Sequence, residues 1–123
     1  MRQVAAALLL LSTAACQGLD GPRPAVALNV PFAPGSWGIY QAGAPVLDAA
    51  ANALADTRLR GSRYLVRAYV APGGNPGEAL ALSRLRAASV VDQLVARGFP
   101  CERLQPEGMG ADQGGERVEI VRR

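Results

Sequence analysis

Residues 78–97 read EALALSRLRAASVVDQLVAR. Ala87, Val90, Val91 and Leu94 recur at helical spacing and form one apolar stripe, with Leu82, Arg86 and Val90 beside it. The spacing predicts a helix over the whole stretch. Arg97 is a cation in its last turn, where the helix dipole favours positive charge. Gly98 follows, placed to close the helix as its C-terminal cap.

Working outward from this helix, residues 71–77 (APGGNPG) read as a loop by composition. Before them, residues 64–70 alternate: Tyr64, Val66, Ala68 and Val70 fall on one face, and Leu65, Arg67 and Tyr69 on the other. That period predicts a strand. Residues 58–63 are a mostly polar turn. Pro45 opens an earlier helix, whose Leu47, Ala50, Ala51 and Leu54 share one face, and which should fray near Asp56 and Thr57. Val26, Leu28, Val30 and Phe32 alternate as a first strand, with Pro31 on its opposite face near the end. Residues 33–36 break the pattern.

On the far side of the long helix, residues 99–103 lead into a short strand over residues 104–107. Residues 108–115 read as a flexible, glycine-rich stretch. Residues 117–121 read as a final strand with Val118 and Ile120 facing the core, and with Glu116 and Glu119 on its solvated edge. The order is β-α-β-α-β-β. This is an α/β chain of the α+β sandwich type, with two helices packed on one face of a small mixed sheet.

Composition narrows the function. The chain has 123 residues, enough for one domain, and half of them are apolar. Its thirteen cations are all arginines, and it has no histidine. The usual general base and metal ligand is therefore missing. Ser36 and Ser83 have no histidine to activate them, and Cys101 has neither histidine nor lysine beside it, so the sequence predicts no enzyme. Ser83 lies near a helix start, where a hydroxyl serves the backbone. Two cysteines, Cys16 and Cys101, make neither a disulfide framework nor a metal site. Cys101 reads as a free, partly buried thiol. No metal or cofactor is implied. The net charge of +3 is too mild and too evenly spread for nucleic acid.

The first sixteen residues have the layout of an export signal. A basic start at Arg2 precedes an apolar run over residues 4–11, then Ser12, Thr13, Ala14 and Ala15 lead to Cys16. The run is too short to span a bilayer, which takes about 20 apolar residues. The placement of Cys16 resembles the bacterial lipobox, although the position three before it is Thr13 and not the usual aliphatic residue. Lipidation of Cys16 is one expectation, and plain cleavage after Ala15 is the other. Gln17, rather than an aspartate, leans towards the outer membrane. Residues 1–15 are thus expected as signal, 16–25 as a lipidated tether, and 26–123 as the domain, facing the periplasm.

The helix start at residues 82–90, LSRLRAASV, is similar to the L-S-x-x-R-A-x-x-V pattern of the peptidoglycan-binding domain of outer membrane protein A and of the peptidoglycan-associated lipoprotein. Gly98, residues 108–111 (GMGA) and residues 117–120 (RVEI) also fit. The resemblance covers residues 26–122. It implies a ligand, the diaminopimelate residue of the peptidoglycan stem peptide, clamped between an aspartate after the second strand and an arginine on the next helix. A carboxylate meets the ligand's ammonium, and a guanidinium fork meets its carboxylate. Arg86 matches that arginine. Gly74 matches the last glycine of the family's G-H-T-D-x-x-G, and Arg117 matches an arginine of its closing N-R-R-V-E-I. The aspartate does not match, because Ala71 stands in its place, and the closing motif begins here with Gly115 and Glu116. Losing one partner of a charged hydrogen bond costs about 1.5–3 kcal/mol. Glu78 and Glu116 are the acids available to replace it. The plainer role for Arg86 is a helix arginine whose stem covers the sheet edge while its head pairs with an acid.

Two functions follow. The first is an outer-membrane lipoprotein that tethers the membrane to peptidoglycan. The second is a structural lipoprotein that keeps the fold, has lost the ligand and docks another envelope protein. An acid in the ligand pocket favours the first, and an apolar pocket the second.

Overall fold

The computed structural model describes residues 24–56 and 60–123. The expected signal and Cys16 lie outside the described residues. Among the described residues, four strands and two α-helices follow in the order expected: β1 (Pro24–Leu28), α1 (Ala44–Leu54), β2 (Tyr64–Val70), α2 (Pro76–Ala96), β3 (Leu104–Ala111) and β4 (Arg117–Arg122). The sheet runs β1-β4-β2-β3. β2 and β3 are parallel and joined through α2, while β4 inserts antiparallel between β1 and β2. Together they form the expected mixed sheet carrying two helices.

The predicted faces are the buried ones. Tyr64, Val66 and Ala68 of β2 and Val118 and Ile120 of β4 meet Ala87, Val90 and Leu94 of α2 and Leu47, Ala50 and Leu54 of α1 in one core. Each larger aliphatic chain removed from water contributes about 1.5–3 kcal/mol, which explains how a core with so few aromatics suffices.

Both ends of α2 are fixed by local chemistry. The helix begins two residues earlier than its apolar period suggests. Asn75 is the N-cap, and its side-chain oxygen accepts the Gly77 and Glu78 N–H groups at 2.8 and 3.1 Å, with Pro76 in the first turn. At the other end Gly98 has φ +94°. Its N–H donates to the Val95 carbonyl, and the Phe99 N–H donates to that of Leu94. These two bonds are the paired closure that a left-handed glycine permits.

Four sequence expectations need correction. The first strand ends at Leu28; Val30 and Phe32 are buried beyond it, where the chain is turning and Phe32 forms a single bridge with Ile39. The glycine-rich stretch after Glu107 is not loose, since residues 108–111 continue β3. Gly108 lies so close under α2 that a Cβ there would sit 2.4 Å from the Arg84 amide nitrogen. Opposite β2 the register skips Met109, a bulge between the Ala68–Gly108 and Tyr69–Gly110 pairs. Finally, β4 is an interior strand, so Glu119 is not on a sheet edge. Cys101, expected to be partly buried, is exposed.

Candidate functional site

Arg86 projects from α2 towards the turn that follows β1. Only 2% of the residue is exposed. Its Nε donates to the Ser36 carbonyl at 2.8 Å, and one terminal nitrogen donates to the Ala33 carbonyl at 3.3 Å. The other terminal nitrogen is ion-paired with the carboxylate of Glu116. The guanidinium lies 4.7 Å above the centre of the Phe32 ring. A buried cation is tolerated only when paired and hydrogen-bonded, and here both conditions hold.

This arginine forms part of the lining of a cleft of about 390 Å³. Ala71 and Gly74 of the β2–α2 loop, Glu78 and Leu82 of α2, Gly35, and Glu116 are also among its walls. The β2–α2 loop is therefore set beside a guanidinium by the fold itself, because the parallel crossover starts at the C-terminal end of β2. Glu116 arrives from the turn before β4, and its side chain is 46% exposed. Thus a sheltered cation and a solvent-reaching anion share one opening. Such a pair can engage a ligand that carries a carboxylate and an ammonium together.

The structure places Arg86 and Gly74 in the lining of one cleft. Ala71 also lines the cleft, where it offers a methyl group. Both candidate replacement acids, Glu78 and Glu116, reach the same opening. Arg117 does not join them. It alternates with the core residue Val118, so its side chain faces away from the helices. There it pairs with Asp112 at 2.7 Å and Glu119 at 3.3 Å, 3.8 Å above the Tyr69 ring. The Arg117 hydrogen bond holds the Asp112 carboxyl below its usual range, helped by the Gly114 N–H. Burial, with a contribution from Glu119, pushes the Tyr69 phenol up.

Ser83 serves the backbone, but from two turns inside α2 and not at its start. Its hydroxyl donates to the Leu80 carbonyl at 2.8 Å and accepts the Gly110 N–H at 2.9 Å. The sequence reading missed Trp37 and Tyr40, two half-exposed aromatics on the turn whose backbone holds Arg86. Their only local signal was aromatic character in a segment rich in Gly and Pro.

Fold and site together define a class: a small α+β domain whose parallel crossover helix presents a buried arginine to a cleft open on the β2–α2 loop. The chain belongs to the OmpA family, whose model matches residues 31–118. Among solved structures, an outer membrane protein from Borrelia burgdorferi aligns with a TM-score of 0.67 at 20% identity, over 78% of this chain and 84% of that one. The peptidoglycan-associated lipoprotein from Burkholderia pseudomallei aligns with a TM-score of 0.64 at 19% identity, over 76% and 88%. The cell wall anchor of the type VI secretion system from Pseudomonas aeruginosa aligns with a TM-score of 0.59 at 25% identity, over 74% and 73%. No curated protein sequence matches the chain.

Proposed function

We propose that this domain is a periplasmic tether that binds the diaminopimelate residue of the peptidoglycan stem peptide in the cleft beside Arg86. The observation that carries this reading is the meeting of Arg86 and Glu116 at one opening. Arg86 takes the ligand's carboxylate, and Glu116 takes its ammonium in place of the aspartate absent at Ala71. Gly74 adds no side chain to the loop, so the backbone there leaves room for the ligand. Binding exchanges one internal ion pair for two ligand contacts. Membership of the OmpA family supports the reading, as do neighbours named as a peptidoglycan-associated lipoprotein and a cell wall anchor. The rest of the proposal is an outer-membrane lipoprotein, with residues 1–15 removed as signal and Cys16 carrying the lipid. Each buried methylene of an acyl chain contributes about 0.8 kcal/mol, so several chains on one residue anchor it firmly.

Co-sedimentation of the full chain in mild detergent with purified diaminopimelate-type peptidoglycan tests the wall role. Pelleting that falls in Arg86→Ala and in Glu116→Gln is expected. Pelleting unchanged in both would remove the cleft from the function. Cys16→Ala should move the protein from the membrane fraction to the soluble periplasm, and continued membrane attachment would remove the lipid anchor.

A second reading has its own observation. Arg86 is already held by Glu116 and by the Ala33 and Ser36 carbonyls, as a purely structural arginine would be. A domain that keeps this pair closed and docks an envelope protein would show no pelleting at all.

A further inference from the structure

A second cleft, of about 400 Å³, opens where residues 37–41 lean over the start of α1 and the middle of α2. Trp37 and Tyr40 stand at it 50% and 51% exposed, the most exposed large hydrophobics among the described residues. Below them α2 presents Ser89, Asp92 and Gln93. Asp92 makes no ion pair or hydrogen bond among the described residues, and neither does the Ser89 hydroxyl. Arg97 closes the far end, where its Nε is bonded to Asp48 at 2.6 Å and one terminal nitrogen to Gln93 at 3.0 Å.

We infer that this cleft is a binding site for a pyranose ring of an amino-sugar glycan. A sugar ring has two chemical sides. Its axial C–H groups form an apolar patch that lies against an aromatic face, and its hydroxyl edge needs donors and acceptors. Trp37 and Tyr40 provide the first, being large amphipathic rings whose exposure in water has no structural return. Asp92 and Ser89 provide the second, unspent polar groups converging from one side. A few placed polar groups against aromatic walls is the usual composition of a small-molecule site.

The position of the cleft selects the occupant. The turn that carries Trp37 also holds Arg86 through the Ala33 and Ser36 carbonyls. Asp92 lies six residues beyond Arg86 on the same helix, an axial rise of about 9 Å. One wall fragment can therefore place its peptide at Arg86 and its glycan on Trp37. The choice of an amino-sugar glycan rests on the wall-binding reading above; the chemistry of the cleft itself stands apart from it.

Trp37 is the only tryptophan in the chain, so its fluorescence reports on this cleft alone. The test is titration of the full chain with the tetramer of β-1,4-linked N-acetylglucosamine, which has no peptide. A saturable change in Trp37 emission is expected. Tyr40→Ala and Asp92→Asn, both at exposed positions, should each raise the half-saturation concentration about tenfold. An emission change that depends on protein concentration without sugar would mean that a second copy of the chain covers the cleft, and would overturn the inference. So would a flat titration, or a response equal in Tyr40→Ala. If the sugar response stands while peptidoglycan pelleting ignores Arg86, the stem-peptide reading fails and the glycan site survives; the reverse pattern has the reverse meaning.

Discussion

Arg86 and Glu116, thirty residues apart in sequence, form an ion pair in which one partner is sheltered and the other reaches solvent. The asymmetry fixes what each removal does. Without Glu116, Arg86 keeps two carbonyls but loses its countercharge in a site nearly closed to water. Without Arg86, Glu116 returns to solvent at little cost, while Phe32 and two carbonyls lose their cover. Glu116→Gln is expected to lower stability by about 1–2 kcal/mol and Arg86→Ala by about 2–4 kcal/mol. Combined, they should cost less than the sum, because the second change removes what the first left unpaired. Chemical denaturation of the four proteins measures this. Strict additivity would show that the pair is not formed in solution.

Ser83 is expected to matter for stability and not for binding. Its hydroxyl ties α2 to the bulge in β3 through the Gly110 N–H, and Gly110 is buried. Ser83→Ala leaves that N–H without a partner, at a cost of about 1–3 kcal/mol. Thermal unfolding should show the loss, while ligand affinity measured well below the melting temperature stays put. An affinity change matching that of Arg86→Ala would place Ser83 at the ligand.

What the sequence made legible divides along physical lines. Period-two alternation located β2 to the residue, and the stripe of Ala87, Val90 and Leu94 located α2, because burial on one face writes itself into spacing. The start of α2 was hidden. Asn75 and Pro76 are a capping signal, yet they sit in a Gly- and Pro-rich run that also reads as a loop. The extension of β3 through residues 108–111 was hidden too. Glycine is there to let α2 approach, and the same residue elsewhere marks a flexible turn. At the site, Arg86, Gly74 and Ala71 were legible through a motif. The pairing of Arg86 with Glu116 was not, because only the insertion of β4 between β1 and β2 brings residue 116 back to α2. The separation of Arg117 from the cleft was legible, since its alternation with the buried Val118 turns its side chain to the other face of the sheet.

Acid should release the Asp112–Arg117 pair. Asp112 titrates below its ordinary 3.8 in the folded chain, chiefly because Arg117 donates to it. A carboxyl whose folded value is depressed stabilises the fold above the unfolded value, and that contribution disappears as pH falls through the folded one. The full chain should therefore lose stability more steeply on acidification below the ordinary carboxylate range than Asp112→Asn does. Because the pair is exposed, the difference will be small and should shrink further in high salt. Parallel acid limbs in the two proteins would mean that the pair contributes nothing.

Ala71 decides whether the missing carboxylate was lost or moved. It lines the same cleft as Arg86 and Glu116, so Ala71→Asp restores the family's acid without crossing the core. If Glu116 has taken over the ligand's ammonium, a second acid beside it adds like-charge repulsion as well as attraction, and the gain in the parent should be slight. In Glu116→Gln the ammonium has no partner, and there Ala71→Asp should recover about tenfold in affinity for a diaminopimelate-containing stem peptide, the worth of one charge-assisted bond. Calorimetric titration of the two single variants and the double variant separates the cases. A tenfold gain already present in the parent would mean that Glu116 never served the ligand and only holds Arg86. No gain in either background would mean that the cleft has diverged beyond one residue, and that the fold has been kept for a different partner.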